Sequence, residues 1–91
     1  MRTAQLADAV AARADLEPAA ARRALDAALE VICEQLGAGG EVALTGFGRF
    51  HVGVRGGRRA ADPRTGRPID VPTVVVPRFT AGTRLKAAVR A

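Results

Sequence analysis

Five arginines fall between residues 55 and 67: Arg55, Arg58, Arg59, Arg64 and Arg67. A guanidinium is charged at every physiological pH and presents a planar fork of N–H donors that matches phosphate oxygens. The chain around them offers nothing to a core. Between Val54 and Ile69 it reads Arg55-Gly56-Gly57-Arg58-Arg59-Ala60-Ala61-Asp62-Pro63-Arg64-Thr65-Gly66-Arg67-Pro68, without one large apolar residue. The segment must therefore be solvated, and its chemistry is the binding of anions. The rest of the sequence sharpens this. Residues 1–52 carry five basic and seven acidic side chains, net −2, whereas residues 53–91 carry nine basic and two acidic, net +7, which together give the formal +5. A positive field confined to one part of a fold points to a polyanion, most simply a nucleic acid backbone.

Other chemistry has little to build on. There is a single histidine, His51, and a single cysteine, Cys33. No nucleophile with a base beside it, no phosphate loop and no ligand cluster is visible, so neither an enzyme nor a metal, cofactor or small-molecule substrate is expected. One cysteine excludes an intrachain disulfide, which suits a reducing cytosol. Cys33 lies near an apolar helical stripe and is expected to be a small buried hydrophobe. No apolar run approaches the ~18 residues of a membrane span. The start, Met1-Arg2-Thr3-Ala4-Gln5, lacks the apolar stretch of a signal peptide, and Asp8 and Asp15 argue against a transit peptide. A cytoplasmic protein without a membrane partner is expected.

The elements that must position the arginines follow from periodicity. Thr3 caps a first helix with Leu6, Ala9 and Val10 on one side, ending near Ala14-Asp15. Pro18, after Glu17, suits the first position of a second helix, where a missing N–H costs nothing. Leu25, Leu29, Ile32 and Leu36 recur at i, i+4, i+7 and i+11, one stripe at helical period. Gly37-Ala38-Gly39-Gly40 stops that helix. The period then becomes two. Val42 and Leu44 mark a first strand. After Gly46-Phe47-Gly48 a second strand sets Phe50, Val52 and Val54 on one face and Arg49, His51, Gly53 and Arg55 on the other. A third strand is expected from about Pro68 to Val76, with Ile69 and Val71 on its apolar side, Pro72 marking an edge or bulge and Pro77 ending it. The register of Val74-Val75-Val76 is ambiguous. A short helix with Leu85, Ala88 and Val89 closes the chain.

The fold class is therefore α+β. Two N-terminal helices precede a three-stranded antiparallel sheet with a long β-hairpin arm, and a short C-terminal helix follows. Asp62-Pro63-Arg64-Thr65-Gly66 is a strong turn signal, with Asp accepting from the backbone, Pro presetting φ and Gly following. It makes residues of about 54–70 a two-stranded ribbon, which alone is marginal in water. Residues 1–91 read as one domain, with a helical base over 1–40, the sheet and arm over 41–79, and the last helix over 80–91. Its core is thin: alanine supplies much of the apolar content, and the aromatics are Phe47, Phe50 and Phe79 alone. A core shared between two chains is the natural remedy, and a twofold homodimer has the best prior.

Gly46-Phe47-Gly48-Arg49-Phe50, the Pro63 turn with Thr65-Gly66, and Val76-Pro77-Arg78-Phe79 followed by Gly82 and Leu85-Lys86 occur in an order and spacing that resembles the bacterial HU/IHF histone-like DNA-binding proteins. The resemblance covers essentially the whole chain. It implies an intertwined dimer, homodimeric or heterodimeric, with Leu29, Ile32, Leu36, Leu44, Phe47, Phe50 and Phe79 in a shared interior. It implies two arms in the minor groove of double-stranded DNA, Pro63 wedged between base pairs, and Arg55, Arg58, Arg59, Arg64 and Arg67 on phosphates. Arg49 and His51 would reach phosphates from the sheet, while Arg78, Arg84, Lys86 and Arg90 either extend the positive surface near the base or, more commonly, are solvated charge. Bent, nicked or gapped DNA would be preferred, and the location would be the nucleoid. Two positions depart from the family pattern: Ala61 stands where an arginine is common, and Asp62 where Asn is common.

Overall fold

A computed structural model describes residues 1–57, 59–70 and 72–90; Arg59 is described in its backbone only. The expectations for Arg58 and Val71 fall outside the described residues. The chain divides into two compact units, Met1–Gln35 and Leu36–Ala91.

The first unit is helical. Helix α1 spans Thr3–Ala14 and helix α2 spans Pro18–Gly37, with Pro18 at the first helical position as expected. Thr3 does not cap α1. It is already helical, and Arg2 is the N-cap residue, its N–H donating to Gln5 Oε1 at 2.7 Å. A glutamine three residues on reaches back to the cap amide, the half of a capping box that needs no hydroxyl. Asp15 closes α1 in the left-handed region, φ 56°, and the N–H groups of Asp15 and Leu16 both donate to the Ala11 carbonyl. Aspartate tolerates this conformation better than most side chains.

Burial in α1 differs from the expectation. Its buried positions are Ala7 and Ala11, one turn apart, while Leu6 and Val10 are exposed; Ala21 is the buried residue of α2. Along the α2 stripe Leu25, Ile32 and Leu36 are half-buried and Leu29 is 47% exposed. Cys33 is exposed, not buried. At about 100° per residue it lies on the polar flank of the stripe, about 40° beyond Leu29 and next to Asp26.

The second unit holds the sheet, the arm and the last helix. Strands β1 (Val42–Leu44), β2 (Gly48–Arg55) and β5 (Val74–Ala81) form an antiparallel sheet in the order β1-β2-β5. Between β2 and β5, strands β3 (Arg59–Ala61) and β4 (Pro68–Asp70) form a separate two-stranded antiparallel ladder. Helix α3 covers Thr83–Val89. The third sheet strand therefore does not run from Pro68 to Val76. It is interrupted after Asp70, restarts at Val74 and continues through Pro77 to Ala81. Pro77 pairs with Val52 inside the ladder. Because β5 is the outer strand of this sheet, a residue without an N–H can turn its nitrogen to the open side.

Register resolves the valine triplet. Val75 lies opposite Val54 on the apolar face, whereas Val74 and Val76 lie opposite Arg55 and Gly53 on the other. On the apolar face Phe50 pairs with Phe79, ring centroids 4.8 Å apart, and Phe47 reaches Phe79 at 5.9 Å. The turn before β2 explains its glycines. A Cβ on Gly48 would stand 2.5 Å from Phe79 Cζ and 2.7 Å from the Thr80 carbonyl oxygen. The entry to α3 clasps the same turn: Gly82 N–H donates to the Phe47 carbonyl at 2.7 Å and Arg84 N–H to the Gly46 carbonyl at 2.8 Å.

Candidate nucleic-acid interface

The arm's tip is a closed, hydrogen-bonded loop. Asp62 N–H donates to the Arg67 carbonyl at 2.7 Å, and Gly66 N–H donates to the Asp62 carbonyl at 2.7 Å. Arg64 N–H donates to Asp62 Oδ1 at 2.8 Å, so the carboxylate forms the turn that the sequence implied. Arg67 N–H reaches Thr65 Oγ1 at 3.3 Å. These bonds fix the backbone on both sides of Pro63, whose ring is exposed. Arg64 and Arg67 are exposed beside it. Behind the tip, Ala60 faces Ile69, and Ile69 is 43% exposed. Among the described residues no apolar layer supports the ladder, and the tip bonds and three backbone pairs hold it. At the base of the arm Gly56 and Gly57 take φ of 85° and 71°, which ends β2 and separates the two ladders.

Arg55 sits at the end of β2, opposite Val74, and is exposed. From there a polar face runs back along the sheet. Cross-strand partners share a face, so His51 stands beside Arg78, and Arg49 beside Thr80. His51 Nε2 and Thr80 Oγ1 are hydrogen-bonded at 2.8 Å. Arg49 Nη1 donates to Glu41 Oε2 at 3.1 Å, an exposed ion pair. Of the residues expected to bind DNA, the structure thus brings Arg49, His51 and Arg55 onto one face and Pro63, Arg64 and Arg67 onto the arm tip. Arg59 pairs through its backbone with Asp70 in the arm ladder.

Sequence reasoning missed three features here. Arg78 reads from the sequence as positive surface near the base or, more commonly, as solvated charge; because Pro77 reads as a strand end, its place beside His51 on the sheet is missed. Thr80, the partner of His51, was missed for the same reason. The Glu41–Arg49 pair spans the β1–β2 turn, and only the register Ala43↔Arg49 reveals that the two side chains meet.

The residues expected in a shared interior stay uncovered within one chain. Leu29, Leu44, Phe47 and Phe79 are all exposed, Ile32, Leu36 and Phe50 are half-buried, and among the described residues the fully buried ones are Ala7, Ala11 and Ala21.

Comparison with known proteins places this architecture. The family model described as "Bacterial DNA-binding protein" matches residues 1–90. DNA-binding protein HU-beta of Pseudomonas aeruginosa is 46% identical over 89 residues, 98% of this chain and 99% of the relative. HU-beta of Escherichia coli K12 is 47% identical over 89 residues, with the same coverage. Among solved structures, an Anabaena HU–DNA cocrystal structure matches with a TM-score of 0.81 at 37% identity, over 98% of this chain and 97% of that one. With the family model matching residues 1–90 and relatives near 46% identical over almost their full length, the chain belongs to the HU/IHF family of bacterial DNA-binding proteins.

Proposed function

We propose that this protein is an architectural DNA-binding protein of the nucleoid, which grips duplex DNA with two arms, one from each chain of a dimer, and keeps it bent. The observation that carries the reading is the arm tip, where hydrogen bonds through Asp62, Thr65 and Gly66 hold an exposed Pro63 among exposed arginines. A ring presented this way can replace one base's stacking partner in the minor groove. Unstacking costs a few kcal/mol, offset by the phosphate contacts that bent DNA allows. Arg55, Arg64 and Arg67, together with Arg58 and Arg59, supply those contacts along the arm. The polar face of the sheet, which carries His51, continues this surface beyond Arg55.

Binding of this kind reads phosphates and deformability more than base edges, and the minor groove carries only a degenerate code. Little sequence preference is therefore proposed, with a preference for nicked, gapped or already bent DNA, whose deformation is prepaid. The apolar surface left open on one chain supports the dimer. A homodimer is the simpler assembly; an obligatory second chain would favour a sequence-selective, IHF-like subunit instead.

Gel shifts across a salt series, on linear and nicked duplexes, test the reading. If the arms neutralise about six phosphates, log K falls against log salt with a slope near −5, and the nicked duplex binds more tightly. A slope near zero would remove the electrostatic grip.

A further inference from the structure

The basic side chains on the polar face of the sheet are not equivalent. Arg49 has a carboxylate beside it, Glu41 Oε2 at 3.1 Å from Nη1. Exposed pairs of this sort are weak and can be broken. Even then the carboxylate remains next to any arriving phosphate, so the site gains little from counterion release. Arg78 is different. It is exposed, stands opposite His51, and has no ion-pair partner among the described residues.

Its side chain is also bedded. Arg78 crosses from β5 to lie over Gly53, two residues nearer the arm than its own cross-strand partner. A Cβ built on Gly53 would run into Arg78 Nε and Cδ, so any other residue there would displace it. The stem of Arg78, from Cγ to Nε, thus lies over the bare backbone of Gly53, on the arm side of His51. A long cationic side chain held in this way gives up less rotamer freedom when it binds. His51, its neighbour, is meanwhile tied to Thr80.

We infer that Arg78 is the sheet's phosphate contact and that Gly53 is the positioning residue that holds it in place. The cationic track of the arm then continues through Arg55 and Arg78 and stops at the Glu41–Arg49 pair. This inference rests on the DNA-binding reading above.

Fluorescence anisotropy on a linear duplex over a potassium chloride series separates the two, using the full chain and the variants Arg78→Ala, Arg78→Lys, Arg49→Ala, Gly53→Ala and Gly53→Ala/Arg78→Ala. With one contact per chain of a dimer, Arg78→Ala reduces the salt slope by about 2 and weakens low-salt binding roughly tenfold. Arg78→Lys restores the slope, because the charge is retained. Arg49→Ala leaves the slope within about 0.5 of its original value. Gly53→Ala weakens binding several-fold without lowering the melting temperature, and it adds nothing in the Arg78→Ala background, the signature of two residues acting as a unit. An Arg78→Ala slope equal to that of the unmodified chain, or an equal loss with Arg49→Ala, overturns the assignment of Arg78. Additive losses in the double variant overturn the role of Gly53. An unmodified chain that fails to bind the duplex sinks the DNA-binding reading itself.

Discussion

Asp62 holds two opposed roles at the arm tip. Its Oδ1 accepts the Arg64 N–H and its backbone closes the loop in both directions, so it builds the turn that displays Pro63. In the proposed complex its charge stands one residue from the Pro63 wedge and would repel the phosphates that the arm approaches. Asparagine has the same acceptor oxygen without the charge. Asp62→Asn should therefore keep the tip and raise affinity for duplex DNA about threefold to tenfold at low salt, since each removed anion relieves a repulsion that screening would otherwise mask. Gel shifts at two salt concentrations check this. An affinity unchanged at the lower one would place the carboxylate away from the phosphates. Asp62→Ala, by contrast, loses the acceptor and should weaken binding by loosening the loop.

Strand β5 shows how an element can be misread from one residue. Pro77 reads as a terminator, yet it lies in the middle of an eight-residue strand because that strand has an open side. The extension matters: it carries Arg78 and Thr80 onto the polar face and Phe79 onto the apolar one. The apolar side of the same element makes its own prediction. Phe47 and Phe79 touch at 5.9 Å, but Phe47 is 45% exposed in one chain. Truncating a half-exposed ring should be mild, whereas truncating a ring enclosed by a second chain costs about 3–5 kcal/mol. Phe47→Ala is expected to show the larger loss in chemical denaturation and to dissociate the dimer in sedimentation experiments. A folded, dimeric variant of unchanged stability would take Phe47 out of the interface.

The surface of the molecule argues the same way. One chain leaves Leu29, Leu44, Phe47, Val75 and Phe79 exposed. Conformational entropy has to be offset by burial, and the three alanines buried among the described residues contribute little of it. Folding and association should therefore be one process, and the melting temperature should rise with protein concentration. Calorimetry over a hundredfold concentration range checks this; a constant midpoint would mean that the single chain is stable alone.

The helices, the first two strands and the arm turn were legible because each depends on local chemistry. Pro18 starts a helix, leucines at helical spacing make its stripe, and Asp62, Pro63 and Gly66 make a turn wherever they stand together. The arginines of the arm were legible for a related reason, since a segment without large apolar residues cannot be buried in any fold. Pairing was not legible. Which face Val74, Val75 and Val76 present depends on a partner strand about twenty residues away, and a slip of one residue exchanges the faces. Only that register put Arg78 beside His51 and over Gly53, and set Glu41 against Arg49. Local propensity names the elements, whereas the company each side chain keeps is decided across the sheet, by contacts that no short stretch of sequence contains.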